Sequence, residues 1–201
     1  MRNQLHRCWH LNGTRREQNR GFSLVEVLVS ILVLSVGVLG AVGMQAASLQ
    51  ASKEVRNQAM AGSMAKELAE KMRGNKTIAI AANNPYLMDL VLPRSFSPTA
   101  ASRDCSATLC SATEIASFDV NDWQMRTKEA LPSPRIKVCM DTTPFDSAGV
   151  PQWGCTGTGN VAVLKLAWNR SNTKGELEMT AMTGASTLPL LVLPLTAGST
   201  E

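Results

Sequence analysis

Residues 20–47 read RGFSLVEVLVSILVLSVGVLGAVGMQAA, and this stretch decides the fold. After Arg20 it carries a single charged side chain, that of Glu26. A helix needs about 20 largely apolar residues to cross a bilayer, so residues 22–43 are long enough to span a membrane. A carboxylate inside such a helix costs roughly 2.5 to 3.5 kcal/mol on insertion scales, and such residues usually have a partner or a function. The stretch therefore predicts a membrane helix in which Glu26 has a specific role.

The net positive charge of the chain is concentrated directly before this span. Residues 1–21 hold five arginines and one acidic residue, which accounts for the whole net charge of +4. Basic residues before an apolar span predict a cytoplasmic N-terminus, with the rest of the chain across the membrane. A basic arm that binds nucleic acid is the alternative for this cluster, and the sequence gives no direct evidence for it.

The junction between the basic segment and the span has a recognisable pattern. Gly21 is followed by the aromatic Phe22, by a glutamate at the fifth position after the glycine, and by an apolar run. This GFSLVEVL motif resembles the type III signal of the type IV prepilins. The resemblance implies that a membrane aspartyl peptidase cuts after Gly21 and N-methylates the new amine of Phe22. It also implies that Glu26 pairs with the terminal amine of a neighbouring subunit, since an unpaired charge in a helix bundle is penalised.

The resemblance continues beyond the signal. Residues 23–75 and the later segment CSATEIASFDVNDW, residues 110–123, are similar to minor pilins of the PilV kind. It implies an α+β fold of the type IV pilin type, in which a long N-terminal helix packs on an antiparallel β-sheet and disulfides tie the C-terminal region. The implied partners are prepilin peptidase, other major and minor pilins, and the inner-membrane pilus assembly platform. A leader that ends at Gly21 is long for this class, which suggests that the true start lies after Met1.

The helical pattern continues past Ala47 but becomes amphipathic. Steps of four residues place one apolar stripe along the helix, and core packing is the simpler interpretation of its methionines than a cofactor site. The stripe comprises Met60, Met64, Leu68 and Met72, with Ala61, Ala65 and Ala69 beside it. Gly74 is the expected helix stop. We therefore divide the chain into four segments: a leader at 1–21, a transmembrane or filament-core half-helix at 22–47, an amphipathic half-helix at 48–73, and a globular periplasmic domain at 74–201.

The first part of the globular domain is poor in periodic pattern. Prolines and asparagines break residues 75–110, which predicts a loop region with one short helical turn. Ser111 and Glu114 then form a capping box that opens a second helix. This helix should end near Leu131, and an interruption around Asn121 could divide it.

Three strands are predicted after this helix, at 136–140, 161–168 and 176–183. The second strand has one more apolar face, to which Trp168 belongs. Turn-forming residues at 169–175 predict that the second and third strands pair as a hairpin. The tail at 188–195 is too short and too interrupted by proline to span a membrane, so we expect it along a sheet edge, where proline is tolerated.

Four cysteines remain if the segment containing Cys8 is removed. Disulfides are the default in an oxidising compartment, and three pairings are possible. Locality favours the pairs Cys105–Cys110 and Cys139–Cys155, since each closes a short loop. A four-cysteine zinc site is the alternative, but the closely spaced cysteine pairs of such sites are absent.

The sequence after the predicted leader lacks the histidines that common catalytic arrangements use. Both histidines, His6 and His10, lie in the predicted leader, so the mature domain can hold no Cys-His or Ser-His-Asp arrangement. We expect no cofactor and no metal, and a non-enzymatic minor pilin of a type IV pilus, held in the inner membrane and then in the pilus. A minor pseudopilin of type II secretion shares the signal and is the alternative within the class. A single-span membrane enzyme or sensor is the alternative outside it.

Overall fold

The computed structural model of the chain describes residues 21–81, 83–97, 103–171, 177–178 and 188–196. The chain forms two compact units and passes from the first to the second between Met44 and Gln45. Helix α1, Leu24–Gly74, begins in the first unit and ends in the second. It starts two residues later than predicted and includes Gly74, the expected stop, as its last residue.

In the first unit, α1 is apolar on all sides. Every residue from Gly21 to Met44 is exposed. By length and composition this helix could cross a membrane. A helix that is hydrophobic all round is stable only where lipid or other apolar helices surround it.

In the second unit, α1 is amphipathic, as the spacing of its apolar residues predicts. Leu68 and Met72 are fully buried, and Met60 and Met64 are partly buried and pack against the same core. The apolar stripe formed by residues at steps of four is therefore a packing surface.

Residues 75–110 contain more regular structure than the predicted loop. Helix α2, Lys76–Ala79, corresponds to the predicted short turn. Strand β1, Met88–Val91, was not predicted, and the assignment of this stretch to a loop is wrong at that point. The strand has only four residues and owes its existence to pairing with its neighbour rather than to its own pattern.

Helix α3, Ala112–Ala130, begins with the predicted capping box. The Ser111 hydroxyl oxygen accepts a hydrogen bond from the backbone N–H of Glu114, at 3.4 Å. The Glu114 carboxylate accepts one from the backbone N–H of Ser111, at 2.8 Å. The predicted interruption at Asn121 is wrong, because burial of Val120 and Trp123 holds the helix continuous on both sides of that residue. The helix ends before Leu131, which is extended as expected for a residue preceding proline.

The remaining strands are short, and each of them pairs with antiparallel neighbours. Their bounds are Arg135–Met140 for β2, Ala162–Ala167 for β3, Arg170–Ser171 for β4, Leu177–Glu178 for β5 and Leu191–Leu195 for β6. The main sheet has the order β1-β2-β3-β6, and all of its pairs are antiparallel. Strands β4 and β5 form a separate two-stranded sheet.

The predicted pairing of the second strand with the third is wrong, because β3 pairs with β2 and β6, whereas β5 pairs with β4. Strand β6 takes the place beside β3. This fulfils the expectation that the tail lies at a sheet edge, where Pro194 stands opposite Val163. Of the predicted third strand, residues 176 and 179–183 lie outside the described residues.

Among the described residues, a hydrophobic core gathers side chains from α1, α3 and one face of the main sheet. Trp123 and Trp168 are its largest fully buried members. Strand β3 is buried on both faces, although only one apolar face was expected. Its second face carries Lys165, which is also fully buried.

Candidate functional site

The predicted processing junction lies immediately before α1. Gly21 and Phe22 are exposed, and the Phe22 side chain is 82% accessible. Glu26 lies in the first turn of α1 and is exposed as well. The Ser30 hydroxyl donates a hydrogen bond to the backbone carbonyl of Glu26, at 2.7 Å. The three predicted residues therefore stand within one turn of the start of α1, on an open surface.

Glu26 is the single ionisable side chain between Gly21 and Met44. A carboxylate in the first turn of a helix interacts favourably with the helix dipole. This interaction cannot replace the water that Glu26 would lose among lipids or packed helices. In such surroundings the carboxylate favours a cationic partner.

The glycines of the span have no role that the described residues explain. A Cβ atom added at Gly37, Gly40 or Gly43 would meet nothing within 4 Å among the described atoms. Small residues at steps of three allow close approach of another helix. This pattern is consistent with packing against helices of other molecules.

A second cluster of chemically distinctive residues lies at the C-terminal end of β2. Both favoured cysteine pairs are bonded, with Cα–Cα distances of 5.7 Å for Cys105–Cys110 and 6.3 Å for Cys139–Cys155. The first closes a small loop before α3. The second joins β2 to the segment that leads into β3.

Beside the second disulfide lies a buried ion pair that sequence reasoning missed. The Lys165 ammonium group is 2.5 Å from the Asp141 carboxylate, and both side chains are 0% exposed. The same ammonium donates to the backbone carbonyl of Gly154. The carboxylate also accepts hydrogen bonds from the backbone N–H groups of Thr143, at 3.1 Å, and Thr156, at 3.3 Å.

These contacts decide the ionisation of the carboxyl group. Burial by itself would raise the pKa of Asp141, but the hydrogen bonds from Lys165, Thr143 and Thr156 act in the opposite direction and prevail. The pKa is lowered from its ordinary value of 3.8. Asp141 is thus held as a carboxylate that binds one ammonium group and two backbone amides.

The ligand atoms of Cys139, Asp141 and Cys155 lie within 4.8 Å of one another, a spacing that a metal ion could use. The two sulfurs are bonded to each other, however, and thiolates are the form that binds zinc. The Asp141 carboxylate is already bound to Lys165. The arrangement therefore fits a disulfide-closed loop better than the zinc alternative.

One sequence signal could have revealed the ion pair. Lys165 is the single charged residue in the run VAVLKLAW, residues 161–168. A lysine centred in an otherwise apolar strand indicates either an exposed face or a buried partner. The sequence does not identify that partner, because Asp141 lies in a different part of the chain.

Two family models match the chain, and their matched segments adjoin. The model described as a prokaryotic N-terminal methylation motif matches residues 16–42. The model described as type IV pilin Tt1218 matches residues 43–121. Together they cover the junction, all of α1 and the first part of α3. No significant match was found among curated proteins or among solved structures.

Proposed function

We propose that this chain is a type IV pilin and, within that family, a minor pilin, a structural subunit that takes part in assembly or modification of a type IV pilus. The observation that carries the proposal is the position of Glu26. It is the one charge in the exposed, apolar part of α1 that ends at Met44, and it lies directly behind a Gly21-Phe22 junction. Such a helix suits transfer from a membrane to the core of a filament.

The first step of the proposed function is processing of the junction. Prepilin peptidase cuts between Gly21 and Phe22 and methylates the amine that this cut creates. The exposure of both residues supports access by a membrane peptidase. Until it is assembled into a filament, the subunit is held in the inner membrane by its apolar span, with its N-terminus on the cytoplasmic side and its C-terminal domain in the periplasm.

The second step is assembly with other pilins on the inner-membrane platform. The Glu26 carboxylate pairs with the terminal amine of Phe22 in a neighbouring subunit. In a medium of low dielectric constant this pair is favoured, and either charge left alone is penalised. The pair therefore selects the axial position at which one subunit joins the next.

A role as a minor rather than a major subunit is supported by the sequence similarity of residues 23–75 and 110–123 to minor pilins. The alternative is a minor pseudopilin of type II secretion, which shares the junction and the apolar helix. The neighbouring genes distinguish them, since other minor pilin genes favour a pilus. A deletion strain that lacks surface pili but secretes normally would also favour the pilus.

Mass spectrometry of the protein from cells that make prepilin peptidase tests the processing step. We expect a mature chain that begins at Phe22 with a methylated amine. A chain that retains its leader in those cells would contradict the proposal.

A Glu26→Gln variant tests the assembly step. We expect normal cleavage but strongly reduced recovery in sheared pili, because the amide keeps the size of the side chain and loses its charge. Ser30→Ala is the matched control, since it lies one turn further along the same helix and alters no charge. Equal recovery of the Glu26→Gln variant and the native chain would remove the role assigned to Glu26.

A further inference from the structure

The segment between Cys139 and Cys155 covers one lysine on the second face of the main sheet. Lys165 on β3 is fully buried there, and its neighbours Val163 and Ala167 on the same face are 3% and 1% exposed. Lys137 stands directly opposite Lys165 on β2. Its side chain is 24% exposed and lies 2.9 Å from Asp89. Two paired lysines thus share one face, and only one of them is sealed from solvent.

Lys165 binds both ends of the covering segment. Its ammonium group contacts Asp141, two residues after Cys139, and the carbonyl of Gly154, immediately before Cys155. The two ends are also joined to each other, since Thr156 donates its backbone N–H to Asp141. The ion pair and the disulfide therefore close the same loop at the same place.

The covering segment is also held at its end by an aromatic contact. The guanidinium group of Arg135 on β2 lies 4.1 Å from the ring centre of Trp153. This contact is of the cation–π type. It places the residues that precede Cys155 over the face of the sheet that carries Lys165.

We infer that residues 140–154 form a redox-controlled cover: the Cys139–Cys155 disulfide keeps this segment closed over Lys165, and reduction of the disulfide opens it and exposes the Lys165 amine. The co-reactant is a dithiol reductant. One of its thiolates attacks a sulfur of the disulfide and forms a mixed disulfide, which its second thiol resolves. Two electrons and two protons pass to Cys139 and Cys155, which become thiols, and the reductant becomes a disulfide.

The opening has a physical cause in the balance of the remaining contacts. The disulfide restricts the freedom of the loop in its open state, and that restriction is lost on reduction. The ion pair and the weaker non-covalent contacts beside it, such as that between Arg135 and Trp153, must then hold the loop closed without a covalent link. A buried ion pair pays a desolvation penalty that cancels much of its attraction, so it is a weak closure when no covalent link assists it. Because coupling is reciprocal, the closed ion pair also protects the disulfide from reduction.

Acylation of lysines in the purified full chain, in detergent, tests the cover. A water-soluble amine-acylating reagent is applied before and after treatment with dithiothreitol, and peptide mass spectrometry follows Lys165 and Lys137. In the oxidised chain we expect Lys165 to react at least ~10-fold more slowly than Lys137, and after reduction to react at a comparable rate, as for a local opening. Protection of Lys165 that survives reduction would overturn the inference.

Two controls separate a local opening from general unfolding. A Cys105→Ser/Cys110→Ser variant retains Cys139–Cys155 as the one disulfide of the globular unit, so the reductant acts on that bond. Hydrogen exchange of the backbone amides of β3 reports whether the sheet survives. Loss of protection throughout β3 on reduction would overturn the inference, because unfolding rather than a cover would then expose Lys165.

The reciprocal test measures the disulfide itself. In a Lys165→Met/Asp141→Asn variant, which leaves no buried charge unpaired, we expect Cys139–Cys155 to be half reduced at a dithiothreitol concentration ~10-fold lower than in the native chain, the size of an ordinary coupling between sites. Cys105–Cys110 in the same molecule is the internal standard, and Lys137→Met is the matched variant. Equal shifts in both disulfides, or a shift in neither, would show that Lys165 does not protect the bond.

Discussion

The indole nitrogen of Trp123 donates a hydrogen bond to the backbone carbonyl oxygen of Met64, at 2.8 Å. Trp123 lies on α3 and Met64 on α1, so this bond links the two helices within the core. The Trp123 side chain is fully buried, and a buried indole N–H generally requires an acceptor. The residue thus combines a large apolar surface with one directional contact to the amphipathic part of α1.

Substitution of Trp123 by phenylalanine should destabilise the globular unit by about 1 to 3 kcal/mol, because the variant loses both the hydrogen bond and part of the packing. Trp168→Phe is the matched comparison, since the Trp168 indole is 3.4 Å from Glu54, a longer and weaker contact. We expect the smaller loss there. Denaturant unfolding of the full chain in detergent measures both values, and a loss at Trp168 equal to or larger than that at Trp123 would contradict the prediction.

The charge contacts between α1 and α3 should contribute modestly. Two guanidinium nitrogens of Arg126 bind the two carboxylate oxygens of Glu67, and one of them is also 2.7 Å from Asp122. The Arg126 and Glu67 side chains remain 41% and 27% exposed, so solvent screens the pair. A double-mutant cycle with Glu67→Gln and Arg126→Gln should give a coupling energy of about 0.5 to 1 kcal/mol.

The pair formed by Arg73 and Glu70 provides the control for this cycle. These side chains are 48% and 67% exposed, and their separation is 2.5 Å. The same cycle there should give a smaller coupling energy, and added salt should weaken both. A coupling energy at Glu67–Arg126 no larger than that at Glu70–Arg73 would show that the bidentate geometry of the Arg126–Glu67 pair has no energetic effect.

Tyr86 should titrate abnormally, and its signal is easily isolated because it is the one tyrosine of the chain. Its side chain is fully buried, and its hydroxyl donates to the backbone carbonyl of Lys71, at 3.3 Å. Burial raises the pKa of Tyr86 to about 12, and the negative charge of Asp119 acts in the same direction. The near-ultraviolet absorbance of tyrosinate should therefore appear well above pH 10.

The sign of the stability change follows from this shift. The unfolded chain ionises Tyr86 near its ordinary pKa of 10.0, whereas the folded chain does so at about 12. The contribution to stability is complete below pH 10 and is lost as the pH rises through 12. A Tyr86→Phe variant should lack this part of the alkaline loss. A native absorbance midpoint near 10 would contradict the prediction.

The capping box of α3 should be worth about 1 kcal/mol, which a Ser111→Ala variant would remove. Ser117→Ala is the control within the same helix. Its hydroxyl donates to the backbone carbonyl of Thr113, at 3.1 Å, a contact that does not satisfy an unpaired helix N–H. We expect little change there, as judged by thermal unfolding followed by circular dichroism. Equal destabilisation by the two substitutions would argue against a specific role for the cap.

The helices could be predicted because their signals are local. The apolar stripe of α1 and the Ser111-Glu114 capping box of α3 each lie within a few helical turns, and the structure places both as expected. Strand β1 could not be predicted in the same way. It has four residues of alternating burial, and its conformation depends on pairing with β2, more than 40 residues later.

The same distinction between local and long-range signals applies to the two candidate sites. Gly21, Phe22 and Glu26 form a contiguous motif, so the sequence alone singles them out. The contact between Asp141 and Lys165 joins residues 24 positions apart that show no shared pattern. Only the strand order, with β3 beside β2, brings Lys165 under residues 140–154.

The position of β6 at the edge of the main sheet has a kinetic consequence. Strand β3 is made before residues 168–190, yet one of its edges is paired only by residues 191–195. A nascent chain that stops between these strands exposes a row of unpaired backbone groups on an apolar strand, which is a template for aggregation. Such long-range pairing is also slow to form. Premature termination in this interval should therefore yield an insoluble product rather than a slightly shortened soluble domain.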